Sequence, residues 1–422
     1  MRARQLTITG FRGIGQLDLH LRPSLTVLVG VNGSGKTTIL DALALLMMPL
    51  QDRIMGSKTK WTSRLAPSDV NAQVPEARLA LRADVDTTPL SWGLVVRRNF
   101  SQVAVAEDAA AIHRFAQDLL ARQQKEAGVD VPLTVYFPTN RAVLDIPQRI
   151  RTPHVFDQLA AYDNNLEENS SNFRLFFEWF RAREDVENEA RRDDPLRRDA
   201  QLEAVRDAVG SLLPGFTDLR IRRQPTLAMT VKKGEEVLAV DQLSAGEKCL
   251  LALAGDLARR LALAHPNAPK PLDAPALVLI DEIELHLHPA WQRGVITALL
   301  RTFTGCQFVI TTHSPQVLSE VHPENILLMS QRDGAVEVQG AESSFGRDSN
   351  WILKTVMGVD ERPHRVEMRL RSCFQLIDEG RLAEARREKD ALANEIGDDD
   401  PELFRAELLL RRKELLTRAP HS

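Results

Sequence analysis

The chain has 422 residues, 43% hydrophobic and 27% charged, with a formal net charge of −4. This length suits about two to three compact units of ordinary globular composition. The slight acidity excludes a uniformly basic nucleic-acid binder but not a local basic groove, and no run approaches the ~18 apolar residues that span a membrane. The N-terminus shows no apolar signal segment, so a cytoplasmic location and no membrane partner are expected. Cys249, Cys306 and Cys373 are scattered and odd in number, which suggests neither a disulfide framework nor a zinc site.

In chain order, Leu6–Ile8 and Leu17–Leu21 read as strands around the turn Gly10-Phe11-Arg12-Gly13. Arg12 is either a surface charge or a guanidinium that reaches a nucleotide from one hairpin away. The apolar, β-branched run Leu25–Val29 then leads into Gly30-Val31-Asn32-Gly33-Ser34-Gly35-Lys36-Thr37-Thr38. This satisfies the phosphate-loop pattern G-x-x-x-x-G-K-[ST] at every position, between a strand and a helix-forming run. The segment Asn32, Gly33, Ser34, Gly35, Lys36, Thr37 and Thr38 is therefore the candidate ATP-binding loop. Its backbone N–H groups and helix N-terminus suit phosphate, Lys36 suits the β- and γ-phosphates, and the Thr37 hydroxyl suits Mg²⁺.

Residues 47–75 read as an irregular polar loop. Ala77–Val85 and Trp92–Arg98 read as a strand pair, Ala106–Glu126 as a helix, and Leu133–Phe137 as a strand entering Pro138-Thr139-Asn140-Arg141. Residues 145–213 read as a helical insertion, with helices over Phe173–Glu189 and Ala200–Leu212 and no heptad to support a coiled-coil arm. Leu219–Arg223 and Leu227–Val231 return to strand, and their Arg220, Arg222, Arg223, Lys232 and Lys233 form either a phosphate-contacting face or a solvated one.

Leu243-Ser244-Ala245-Gly246-Glu247 opens a helix, with Ser244 as cap and Glu247 as its capping-box partner. The buried strand Ala276–Ile280 ends in Asp281-Glu282, adjacent carboxylates suited to one Mg²⁺ ligand and one group that polarises water. Pro289 begins a helix directly after His286 and His288, which weakens a metal-ligand reading of the two. The strand Gln307–Thr312 ends in His313, on the same side as the carboxylates. Beyond strands at Asn325–Met329 and Val336–Val338, helices are expected at His364–Asp378, Arg381–Ile396 and Pro401–Leu416. Their apolar stripes look too few to bury a core of their own, which implies a covering partner surface. Asp398-Asp399-Asp400 reads as a solvated turn.

Phosphate loop, Leu-Ser-x-Gly-Glu, Asp-Glu and His313 follow one another in the order of the ABC-type ATPases, which the chain resembles. That resemblance implies an α/β ATPase head, a mixed sheet with flanking helices, interrupted by a helical insertion and followed by an all-α tail. It further implies a head-to-tail dimer, with the chance of a higher oligomer, in which Ser244, Gly246 and Glu247 act in trans on the partner's ATP. Asp281 would hold Mg²⁺, Glu282 would activate water and His313 would sense the γ-phosphate. The expected glutamine that completes the Mg²⁺ shell has no clear counterpart; Asn140 is the best-placed substitute and Gln102 a weaker one.

Phe11-Arg12-Gly13, Glu284–Pro289 and Thr312–Gln316 are similar to the SMC, RecF and OLD branch rather than to transporter subunits. The tail offers no Toprim-type acid set, so no nuclease site of its own is expected. Tyr136–Arg141, Phe176–Arg181, Phe345–Asn350 and the charged tail look like the ATPase subunit of Septu-type anti-phage systems, relatives of which accompany some retrons. That likeness implies an HNH-type nuclease partner. The expected organisation is a first ATPase lobe over 1–144, the insertion over 145–213, a second lobe over 214–360 and a docking region over 361–422. An ATP-gated DNA clamp of the repair and recombination kind, with DNA as a partner, is the alternative.

Overall fold

The computed structural model describes residues 1–56, 65–86, 88–98, 104–139, 156–166, 173–332 and 335–418. Alternating buried and exposed positions make Arg2–Phe11 (β1) and Ile14–His20 (β2) an antiparallel hairpin. The all-buried Leu25–Gly30 (β3) runs through the phosphate loop into α1 (Lys36–Met55). The irregular loop expected from residue 47 does not begin there, because α1 continues to Met55 and ends on Gly56. Pro49 removes one helical donor, but the surrounding Met47, Met48, Leu50 and Ile54 are buried. Trp92 Nε1 donates to the Leu46 carbonyl at 2.6 Å. Apolar burial thus outweighs the helix breaker.

Glu76–Val85 (β4), Thr88–Arg97 (β5) and Ala104–Glu107 (β6) complete an antiparallel sheet ordered β2-β1-β4-β5-β6. β6 corrects the expected helix start at Ala106. Those residues pair with β5, and α2 begins only at Ala109, running to Lys125. Leu133–Phe137 (β7) is a strand as expected. The aromatic helix Phe173–Asp193 (α3) and Ala200–Leu212 (α4) pack on Ala245–Ala264 (α5). Between α4 and α5, Phe216–Arg222 (β8), Ala228–Lys233 (β9) and Glu236–Ala239 (β10) form a small antiparallel sheet.

Ala276–Ile280 (β11) leads through Pro289–Gln292 (α6) and Val295–Thr302 (α7) to Gln307–Thr312 (β12), which is followed by Pro315–Leu318 (α8). Ile326–Arg332 (β13), Ala335–Gly340 (β14) and Ser349–Trp351 (α9) close this part of the chain. The main sheet is ordered β14-β13-β3-β12-β11-β7, parallel except for β14. Its strands β3, β12, β11 and β7 are buried almost throughout, as strands covered on both faces must be. Parallel pairing brings the C-terminal ends of β3, β11 and β12 to one edge, the usual place for a ligand in such sheets.

The chain divides into two compact units, Met1–Ile352 and Leu353–Ser422. The second holds His364–Asp378 (α10), Leu382–Ile396 (α11) and Pro401–Arg418 (α12). Contrary to expectation, these helices do bury a core of their own. Cys373, Ile377, Ala385, Ala406 and Leu410 form one cluster, and Leu370, Leu392 and Leu403 form another. The missing share comes from α12, whose Leu403, Ala406 and Leu410 close over the stripes of the other two. Asp400 caps α12 through bonds from the Glu402 and Leu403 N–H groups and pairs with Arg362 at 2.7 Å. Among the described residues, no helix is long and apolar enough to cross a membrane.

Candidate nucleotide site

The phosphate loop is shaped by backbone constraints at its glycines. Gly33 and Gly35 take φ of 81° and 95°, a region costly for any residue with a Cβ. At Gly30 a Cβ would lie 2.3 Å from the Met329 carbonyl oxygen, so β13 itself demands glycine there. Lys36 folds back over the loop, its Nζ donating to the Gly30 and Val31 carbonyls at 2.9 and 3.0 Å. Burial lowers its pKa, while Asp281, Glu282 and Glu284 oppose that shift. Asn32 and Gly33 are exposed, Thr38 is half-buried, and the buried Ser34 Oγ has no partner among the described residues.

Asp281, 3% exposed at the end of β11, accepts from Thr37 Oγ1 at 2.9 Å and from Thr311 Oγ1 at 2.5 Å. These hydroxyl and carboxylate oxygens are a hard donor set that fits Mg²⁺. Glu282 follows at φ 46°, with its N–H held by Thr311 Oγ1 at 2.7 Å. His313, half-buried at the end of β12, has its N–H bonded to Glu284 at 2.6 Å. The sheet edge therefore assembles Lys36, Thr37, Asp281, Glu282 and His313. Asn140 and Gln102 lie outside the described residues.

Arg12 lies on the tight turn between β1 and β2 at φ 49°. It pairs with Asp69 at 2.9 Å and with Asp41 of α1, whose other oxygen accepts from Tyr136 OH at 3.1 Å. Burial opposes the charged form of Arg12, but the two carboxylates outweigh it and raise the pKa. Ser244 is the N-cap of α5, and its N–H and Oγ both donate to Glu247. Burial raises the Glu247 pKa, yet Lys233 at 2.6 Å and Ser244 bring it below the usual carboxylate range. Ser244 is exposed. Among the described residues, no hydrogen bond joins it or Gly246 to the phosphate loop of its own chain.

Known proteins resemble this chain in sequence and in fold. Residues 25–319 match the family described as "AAA domain, putative AbiEii toxin, Type IV TA system". The chain belongs to this AAA-domain family. It is 28% identical to "Retron Ec83 probable ATPase" of Escherichia coli, across 98% of this chain and 87% of that protein. It is 24% identical to "Septu protein PtuA" of Bacillus thuringiensis, across 85% and 84% of the two. The solved SMC head bound to the C-winged helix domain of ScpA has a TM-score of 0.51 at 18% identity, covering 81% of this chain and 98% of that one. The fold of this AAA-domain protein is thus that of an ABC-type ATPase head.

Around this site, sequence reasoning passed over Asp41, Asp69 and Thr311, and took Glu284 only as part of a segment that carries a family likeness. The Thr311-Thr312 pair at the end of an apolar strand was the available signal, since two hydroxyls there need acceptors. His288 caps α6, its Nδ1 accepting from the Ala290 N–H at 3.3 Å. Four of the five cations of the basic face are paired locally. Arg220 pairs with Asp218, Arg223 with Glu184 and Asp185, Lys232 with Glu235 and Lys233 with Glu247.

Proposed function

We propose that this AAA-domain protein binds and hydrolyses Mg-ATP as a nucleotide-gated head-to-tail dimer, and that it controls an HNH-type nuclease partner in anti-phage defence. The observation that carries the chemistry is the convergence of Thr37, Asp281, Glu282 and His313 on one sheet edge beside Lys36. The loop N–H groups and the α1 N-terminus hold phosphate oxygens, and Lys36 leaves the Gly30 and Val31 carbonyls for the β- and γ-phosphates. Thr37 and Asp281 would hold Mg²⁺, which neutralises charge on the phosphate oxygens. Glu282 takes the proton of the attacking water, and His313 bonds the γ-phosphate as charge develops. Arg12 gives Nε to Asp69 and Nη1 to Asp41, so Nη2 is the nitrogen it would offer a nucleotide.

In the dimer, the exposed Ser244 and the N-terminus of α5 at Gly246 close over the partner's γ-phosphate, with Glu247 holding Ser244 in place. Such closure would change the dimer's shape with nucleotide state, which is the lever on the nuclease. The family likeness to Septu and retron proteins supports the defence setting. Local ion pairing of four of the five cations named above favours this reading over a DNA clamp.

Two variants test the chemistry. Lys36→Ala is expected to abolish ATP binding in calorimetry. Glu282→Gln is expected to keep affinity while turnover drops about 10²- to 10⁴-fold, the range for loss of a general base. Normal turnover in Glu282→Gln would place water activation elsewhere.

A further inference from the structure

Glu284 has no part in the chemistry above, yet its carboxylate joins two segments. It lies in the tight turn after β11, where Leu285 N–H donates to the Glu282 carbonyl and Leu287 N–H to the Glu284 carbonyl, both at 2.9 Å. One carboxylate oxygen accepts from Thr312 Oγ1 at 2.7 Å and the other from His313 N–H at 2.6 Å. The two oxygens therefore serve the last residue of β12 and the residue that follows it, and Thr312 is completely buried. Bonds to an ionised acceptor are roughly twice as strong as neutral ones. Without Glu284, a buried hydroxyl and a backbone N–H would lose their acceptor.

The same turn touches α5. His286 takes φ 66°, and its carbonyl oxygen lies 2.6 Å from where a Cβ on Gly246 would stand. Within one chain, the turn from Glu282 to His286 thus contacts both His313 and the buried Gly246.

We propose that Glu284 is a positioning residue for ATP turnover: it fixes the main chain of Thr312 and His313 so that the imidazole meets the γ-phosphate, and it ties that point to the turn beneath Gly246. This rests on the assignment of the phosphate loop and His313 made above. In this proposal Glu284 acts on turnover through His313, whose N–H it holds, rather than on the phosphate itself.

The test uses the full chain with Glu284→Ala and Glu284→Gln. Glu284→Ala is expected to lower kcat about 10- to 10²-fold, the scale of a misplaced catalytic group, and to leave affinity for a non-hydrolysable ATP analogue unchanged. Glu284→Gln keeps one oxygen for the His313 N–H and should recover most of kcat. Combined with His313→Ala, Glu284→Ala should cost nothing further, because both changes remove one function. If Glu284→Ala unfolds the chain, Glu284→Asp keeps the charge but shortens the reach, and it should show the same kcat loss. Full kcat in Glu284→Ala or Glu284→Asp, or additive losses in the double variant, would overturn the proposal. Lys36→Ala and His313→Ala are the controls. If they bind and turn over ATP normally, the site assignment has failed and takes this inference with it. If they behave as expected while Glu284→Ala is active, only the role of Glu284 is lost.

Discussion

Asp256, on the buried face of α5, accepts from Arg259 Nε and Nη2 at 3.2 and 2.8 Å and from Arg260 Nε at 2.7 Å. Arg260 Nη1 continues to the Ala161 and Asp163 carbonyls at 2.8 and 2.9 Å. Burial pushes the Asp256 carboxyl up, but the two guanidinium groups outweigh it and hold it below the usual range. Asp256→Ala would remove the carboxylate that the two buried guanidinium groups share, so it should destabilise the chain by about 3–5 kcal/mol in denaturant titration. A loss under about 1 kcal/mol would mean that the guanidinium groups find other acceptors. Residues of this kind are not legible from sequence, since an Asp followed by Arg at i+3 and i+4 reads as a solvated helix face. The phosphate loop and Asp281-Glu282 were legible because their spacing along the chain carries the chemistry. Asp69 and Glu284 were not, because their partners lie 57 and 29 residues away and only the fold brings them together.

At the scale of elements, α3 and α5 meet at Gly255. The Phe176 ring, packed against Phe173, Trp179 and Phe180, lies 2.7 Å from where a Gly255 Cβ would stand. Gly to Ala inside a helix ordinarily stabilises by about 0.5–1 kcal/mol. Here the sign should reverse, with Gly255→Ala costing about 1–3 kcal/mol through overpacking. In the double variant with Phe176→Leu the total loss should fall short of the sum of the two single losses, measured by thermal melting. A stabilised Gly255→Ala would show that the ring moves aside freely. The helix α5 itself was legible from its capping box, and β7, β11 and β12 from their apolar runs. The end of α1 was hidden by Pro49, and β6 by an alanine-rich sequence that runs on into α2. Tertiary burial decided the first, and pairing with β5 the second.

For the whole molecule, chain order says little about spatial order: β3 lies between β13 and β12, strands nearly 300 residues away in sequence. The motif series nonetheless points to one edge, because parallel strands can present their C-terminal ends only together. If the site is composite, a Ser244→Arg chain mixed with a Lys36→Ala chain should regain ATPase activity, since one interface of the mixed dimer keeps both intact halves. Absence of any recovery would argue for catalysis within a single chain or for strict coupling of the two sites. The unit Leu353–Ser422 poses the last question. It carries none of the ATP motifs and folds around its own small core. Yet α12 leaves Phe404, Leu408 and Leu415 exposed at 64%, 53% and 70%, at spacings that share one helix face. Such a face on a highly charged helix is suited to assembly rather than chemistry. If the proposed function holds, a chain ending at Ile352 should bind ATP with unchanged affinity but lose higher-order assembly or the proposed nuclease partner, and protection against phage with it. Light scattering measures the first and a pull-down with the nuclease the second. Should the shortened chain assemble and capture the nuclease normally, docking falls to the helices within 145–213 instead.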